Sequence, residues 1–287
     1  MNRLLTIALI TFLSQTLLPA QTRVYQTFKD TRVINTHSVE TTPKRKLDVR
    51  IGHRFGDFAG DNGGWPTFYG LENATDVMIG AEYGATDRLT VGLHRTKGAA
   101  QLRQLLHSFL KYRLLSQKKG SGSPITLTLL GMTTLSTMED SNNPELLSDF
   151  QQFSHRMSYH IQVLMAHQFS ERFSLQFGGG YTHRNLVMND DTNGIPSLSI
   201  ATRIQLTKIF GLIADFTLPF SDLRSSENGY YPPLGIGLEI ETGGHVFQVN
   251  LTNATAIMET DYIPNTRSNW GDGQYRIGFT ISRLFNL

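Results

Sequence analysis

The sequence predicts a closed, antiparallel, all-β transmembrane barrel of about twelve strands, and three observations carry that expectation. Apolar and polar residues alternate with period two through nearly everything after residue 45. The alternating segments are about ten residues long, which is what a tilted strand needs to cross the apolar layer of a bilayer. The polar parity carries charge on strand after strand, which suits a lumen better than the dry core of a soluble sandwich. Connections also alternate between tight and long, as in barrels with short periplasmic turns and long extracellular loops.

In chain order, residues 1–20 read as an export signal, with Asn2-Arg3 as the basic start, an apolar run from Leu4 to Leu13, and Leu18-Pro19-Ala20 as the cleavage site. That run is about half of the roughly 20 residues a spanning helix requires. No other apolar run is longer, so no transmembrane helix is expected. Residues 21–45 are expected to form a periplasmic segment, and residues 46–287 the barrel. The chain has no cysteine, which excludes a disulfide framework, a lipid-modified cysteine and thiolate chemistry. Its 26 Lys and Arg balance 24 Asp and Glu. The only basic runs are Lys44-Arg45-Lys46 and Lys118-Lys119, so no nucleic-acid partner is expected.

The first strand sets Leu47, Val49, Ile51 and Phe55 on one parity against Asp48, Arg50, Gly52 and Arg54 on the other. The second sets Val77, Ile79, Ala81 and Tyr83 against Asp76, Gly80 and Glu82, and the third Leu89, Val91 and Leu93 against Thr90, Gly92 and His94. A fourth, near 105–114, opposes Leu106, Leu110, Tyr112 and Leu114 to His107, Lys111 and Arg113. Further segments at about 125–135, 155–169, 172–183, 197–207, 210–219, 233–242, 245–254 and 274–285 bring the count to roughly twelve, an even number as bacterial barrels require.

The odd connections, such as 56–74, 136–154 and 255–273, are long and polar. Most even ones are as tight as Ala85-Thr86 or Gly243-Gly244, with Ser116 to Pro124 the exception. Tyr83, Tyr112, Phe169, Phe173, Phe210 and Phe247 fall near the short-turn ends, and Phe55, Tyr159, Tyr181 and Tyr275 near the long-loop ends. These are the two aromatic belts of a membrane-spanning barrel.

The segments Ile34-Asn35-Thr36-His37-Ser38-Val39-Glu40-Thr41 and Leu47-Asp48-Val49-Arg50-Ile51-Gly52-His53-Arg54-Phe55-Gly56 resemble the opening of an uncharacterised family of outer-membrane β-barrel proteins of Gram-negative bacteria, a domain of unknown function. The resemblance continues through Gly70-Leu71-Glu72-Asn73-Ala74, Tyr83-Gly84-Ala85-Thr86-Asp87-Arg88-Leu89 and Leu110-Lys111-Tyr112-Arg113-Leu114-Leu115. It implies a barrel in the outer membrane over residues 34–287, and brings no substrate, reaction or catalytic residue with it.

By parity the lumen should be lined by Arg50, Arg54, Glu82, His107, Lys111, Arg113, His160, Arg203, Asp215, Glu239 and Arg276, with His94 beside them. Such residues can form a selectivity filter or pair with one another as scaffolding. Arg50 and Glu82, on hairpin partners, are expected to approach each other. Gly92 is expected to accept serine in a roomy lumen, whereas Val49→Arg on the lipid face should cost ~2–4 kcal/mol near the bilayer midplane.

His53, His167 and His183 share the apolar parity, where a polar tip on an apolar body suits the headgroup layer better than a catalytic pair. No G-x-S-x-G elbow or H-E-x-x-H spacing occurs, so neither catalysis, metal nor cofactor is expected. Asn189-Asp190-Asp191-Thr192-Asn193-Gly194 matches half a calcium loop, but Ile200 stands where the closing glutamate belongs, which favours a plain turn. The function expected is a pore or transporter for a small polar solute. Outer-membrane lipid and the barrel-assembly machinery are the expected partners. A lipid-modifying enzyme, or a structural or adhesive barrel with ligand-binding outer loops, are the alternatives.

Overall fold

The computed structural model describes residues 26–120, 122–188 and 190–287; the export-signal reading of residues 1–20 lies outside them. A two-residue ladder pairs β1 (Arg32–Val33) with β2 (Thr36–His37). Twelve long strands follow: β3 (Lys46–Phe55), β4 (Ala74–Gly84), β5 (Leu89–Thr96), β6 (Leu105–Leu115), β7 (Thr126–Ser136) and β8 (Met157–Ser170) in the first half. The second half holds β9 (Phe173–Arg184), β10 (Gly194–Gln205), β11 (Phe210–Pro219), β12 (Leu234–Thr242), β13 (His245–Thr252) and β14 (Arg276–Asn286). Each pairs antiparallel with its sequence neighbours, and β14 returns to β3 with Ile281 opposite Ile51, closing the barrel. Closure leaves no unpaired strand edge, the condition for a sheet to stand in hydrocarbon.

The period-two pattern sorts the faces as the sequence predicts. Ile79, Leu93, Leu110 and Ile161 are more than half exposed on the outer wall, while Asp48, Arg50 and Glu82 are buried within. Most boundaries shift by two residues or fewer, and the start of β10 by three. Strand β10 begins at Gly194, ahead of the expected 197, because Pro196 joins the ladder opposite Tyr181 and its carbonyl accepts from Phe220 N at 2.8 Å. Proline argues against a strand only where its missing N–H would have been needed.

The larger departure concerns residues 26–42. In place of a periplasmic segment, the structure puts these residues inside the barrel, with Phe28, Val33, Ile34 and Val39 at most 3% exposed. They rise as a narrow hairpin that turns at Ile34 (φ 50°) and leave the lumen past Pro43. There a β-carbon on Gly84 would stand 2.0 Å from Pro43 O, so only glycine lets the chain cross the rim. From the other end, the connection after β13 sends residues 253–266 inward, including the short helix α1 (Glu259–Asn265).

These two inserts explain why the inward face is not uniformly polar. Leu164, Ala166, Ala201 and Ile213 of the wall cluster with Phe28, Val33, Ile34 and Val39 of the N-terminal insert. Met78, Phe109, Leu130 and Met132 cluster with Ile257 and Met258 of the outer insert, and Ile195 with Ala254, Ala256, Tyr262 and Ile263. Apolar side chains on the lumen parity are stable there because protein covers them instead of water. The same filling overturns the expectation for Gly92: its β-carbon would lie 2.1 Å from the Phe109 ring, so serine has no room.

Candidate functional site: a closed centre between two vestibules

The centre is built where the inserts meet. Glu259, buried at the start of α1, takes His37 N at 3.0 Å and His37 Nδ1 at 2.9 Å on one oxygen, and Arg32 at 3.4 Å on the other. Arg32 Nη2 also donates to Ile257 O at 3.0 Å. The N-terminal insert therefore grips the outer insert through a fully buried ionic knot. Arg50, Glu82, His37, His94, His107, His160 and Glu259 all have no accessible surface, so none of these inward-facing groups meets a water-filled passage.

The sequence-predicted lumen residues divide by what holds them. Arg50 lies against Glu82 as expected, at 3.6 Å, but its closer partners are Asp30 at 2.9 Å and Asp48 at 2.8 Å. Lys111 donates to Thr31 O at 2.9 Å and Glu40 O at 3.0 Å, and Arg113 reaches Glu40 at 3.1 Å. Asp215 accepts from Asn35 Nδ2 at 2.9 Å and from the backbone N–H of Asn35 and Thr36. Arg54 touches both inserts, through Asn35 Oδ1 at 2.7 Å and Ala254 O at 3.3 Å. All five of these cations and acids thus hold an insert instead of facing a solute.

The others keep to the wall and loops. Arg203 reaches from β10 across β11 to Glu239 on β12, at 2.6 Å. Gly211 lies beneath the guanidinium, which a β-carbon would meet at 3.0 Å. His107 sits between Thr96 Oγ1 at 2.9 Å and Thr134 Oγ1 at 2.7 Å, and His160 beside Thr182 Oγ1 at 2.9 Å. Arg276 donates to Ser268 Oγ at 2.7 Å. Among the described residues no group of acids and histidines has the arrangement of a metal site.

On the outer wall, the His53 ring packs on Phe55 and Phe279, and the His183 ring on Tyr159. His167 Nδ1 is 2.6 Å from Pro124 O. Asp191, in the half-calcium loop, is taken by Arg184 at 2.9 Å and Arg224 at 2.7 Å. Those two guanidiniums hold its carboxyl below the usual carboxylate range against the opposing effect of burial.

Sequence reasoning missed Asp30, Arg32, Asn35, His37, Glu40 and Glu259. The available signal was composition: an acid, a base and an amide interleaved with Val33, Ile34 and Val39 suit neither free solvent nor lipid.

Beyond the closed centre lies a cavity at each end. The long-connection end opens on about 970 Å³, lined by residues of all the long connections except the first, with Thr260 and Asp261 as its floor. Burial and the nearby Asp76 charge push the Asp261 carboxyl up to about 7. The short-turn end holds about 250 Å³ between Lys29, Asp30, Glu40 and the β12–β13 rim.

A search of curated proteins finds no match. Among solved structures the barrel is similar to that of the NanC porin, at 10% identity and a TM-score of 0.51, over 84% of this chain and 100% of that one. It is also similar to that of the COG4313 outer membrane channel from Pseudomonas putida F1, at 15% identity and a TM-score of 0.49, over 88% and 100%. The first likeness supports the fold and nothing finer. A family model described as "Membrane bound beta barrel domain (DUF5777)" matches residues 28–285.

Proposed function

This chain belongs to the family of membrane bound beta barrel domains (DUF5777), and on that premise we propose that it is a gated outer-membrane barrel, which admits a small polar solute only when the outer insert parts from the wall. The observation that carries the reading is the closed centre between two vestibules of mixed polar and apolar lining. A structural barrel has no need of a cavity at each end, and an open pore would not seat Phe109, Leu130 and Leu164 on its inner face. The long connections then face the outside of the cell and the short turns the periplasm. The porin name of the similar NanC structure agrees with this reading.

Planar-bilayer conductance tests it. The native protein should show little steady current. A variant lacking residues 26–42, and another with residues 255–262 replaced by a glycine-serine linker, should each conduct steadily. Two folded variants, both still shifting mobility on boiling in SDS but silent in the bilayer, would favour a structural or ligand-binding barrel.

A further inference from the structure

Five arginines gather at the outer vestibule, and its carboxylates are too few and too occupied to neutralise them. Arg103, Arg156, Arg184 and Arg267 line the cavity, and Arg224 stands behind, on Asp191 and Pro264 O. Asp191 is shared between Arg184 and Arg224. Asp261 forms no ion pair with any of the five and accepts instead from Ala99 N at 3.1 Å and Asn265 Nδ2 at 3.0 Å. Burial pushes its carboxyl toward the neutral form. Asp190, exposed at the rim, is the third acid.

The remaining guanidiniums are held by neutral groups. Arg267 donates to Tyr230 Oη at 2.6 Å and lies 4.3 Å from the centre of the Tyr230 ring, whose face Arg224 also meets at 5.1 Å. Arg156 donates to Met138 O and covers the Phe150 ring at 4.1 Å. Arg103 has no side-chain partner among the described residues, and the Arg184 Nε is buried without one. The guanidinium fork matches a planar carboxylate with two parallel hydrogen bonds. Between the arginines, the apolar side chains Leu102, Leu147, Leu186, Met188 and Leu223 alternate with polar ones such as Gln101, Asn228 and Ser268.

We propose that the outer vestibule is a binding site for an organic carboxylate with an apolar or aromatic body, its charge taken by Arg103, Arg156 and Arg267 and its body by the leucine wall and Tyr230. The site rests on the gated-barrel reading only for its place on a solute's route, since binding needs no opening of the centre. The volume of about 970 Å³ suits an organic molecule, and the lining sets arginines beside leucines.

Calorimetric titration of the purified, detergent-solubilised protein tests the proposal with phenylacetate, its uncharged analogue phenylacetamide, and tricarballylate, which carries charge without an apolar body. Phenylacetate should bind saturably and at least tenfold more tightly than either of the others. Arg103→Gln with Arg267→Gln should weaken it at least tenfold, while the heat-dependent mobility shift in SDS stays native. Equal binding of phenylacetate and phenylacetamide overturns the proposal, as does equal binding by native and variant proteins. Saturable binding in a protein whose insert variants never conduct would leave this site standing and remove the channel. Conducting variants without carboxylate preference would do the reverse.

Discussion

The two inserts meet at Glu259 but are held to the barrel by different forces. The N-terminal insert is tied to the wall through charge: Asp30 to Arg50, Glu40 to Arg113, the Thr31 and Glu40 carbonyls to Lys111, and Asn35 and Thr36 to Asp215. Gln176 and Gln248 add bonds to Val39 N at 2.8 Å and Arg32 O at 2.9 Å. The outer insert sits mainly on apolar surface, Met258 and Ile257 against Met78, Phe109, Leu130 and Met132. Its polar ties to the wall run mostly through backbone and hydroxyl groups: Ile257 N to Asp76 at 3.0 Å, Thr260 to Thr134 at 2.8 Å, the Ala254 and Thr255 carbonyls to Arg54 and Thr75, and Leu234 N to Asn253 Oδ1 at 2.8 Å. Buried charges are costly to leave alone: losing the N-terminal insert would take partners from Arg50, Lys111, Arg113 and Asp215 of the wall, whereas moving the outer insert would part Glu259 from Arg32 and His37 but break no ion pair with the wall among the described residues. The comparison teaches that the N-terminal insert behaves as part of the wall and the outer insert as the part able to move.

The sharpest way to break this contrast is Asp30→Ala. Arg50 would lose both of its hydrogen bonds to Asp30 while keeping Asp48 and Glu82, and the expected cost is about 3 kcal/mol, from two charge-assisted bonds at ~1.5 kcal/mol each. Urea unfolding of the folded barrel in detergent measures it. A loss under about 1 kcal/mol, the value of a solvated pair, would mean that water already reaches Arg50 and that the N-terminal insert is no fixture.

Met258→Ala probes the other side. A truncated buried methionine costs ~2–5 kcal/mol, and the lower end is expected because a movable insert can settle into the space. Hydrogen exchange should quicken across residues 253–266 and remain unchanged at residues 26–42. Equal loosening of both segments would show one cooperative plug in place of a fixed part and a movable one.

The smallest effect expected is that of Gly92→Ser, which must push Phe109 aside. Overpacking of this kind costs ~1–3 kcal/mol. Phe109 also meets the His37 ring edge-on at 4.9 Å, so the disturbance should reach the contact between the inserts. A serine variant as stable as the native barrel would return Gly92 to the roomy lumen that parity alone suggests.

Parity was enough to find the barrel. Each of the twelve strands lies where alternation predicts, because the side-chain period in a strand is two and one face had to meet lipid. The same alternation identified Arg50, Lys111, Asp215 and Glu239 as inward-facing. It could say nothing of what they touch, since a polar face looks the same whether it meets water or a buried acid. Residues 26–42 have almost no strand of their own to betray them, and α1 is too short for a helical period to show. Their partners lie up to 227 residues away in the chain, as with Arg32 and Glu259. Local alternation by itself therefore determined the wall and its two faces. Only the tertiary structure decided that the bore is closed, because closure depends on long-range pairing of buried charges and on apolar wall residues that water would not have tolerated.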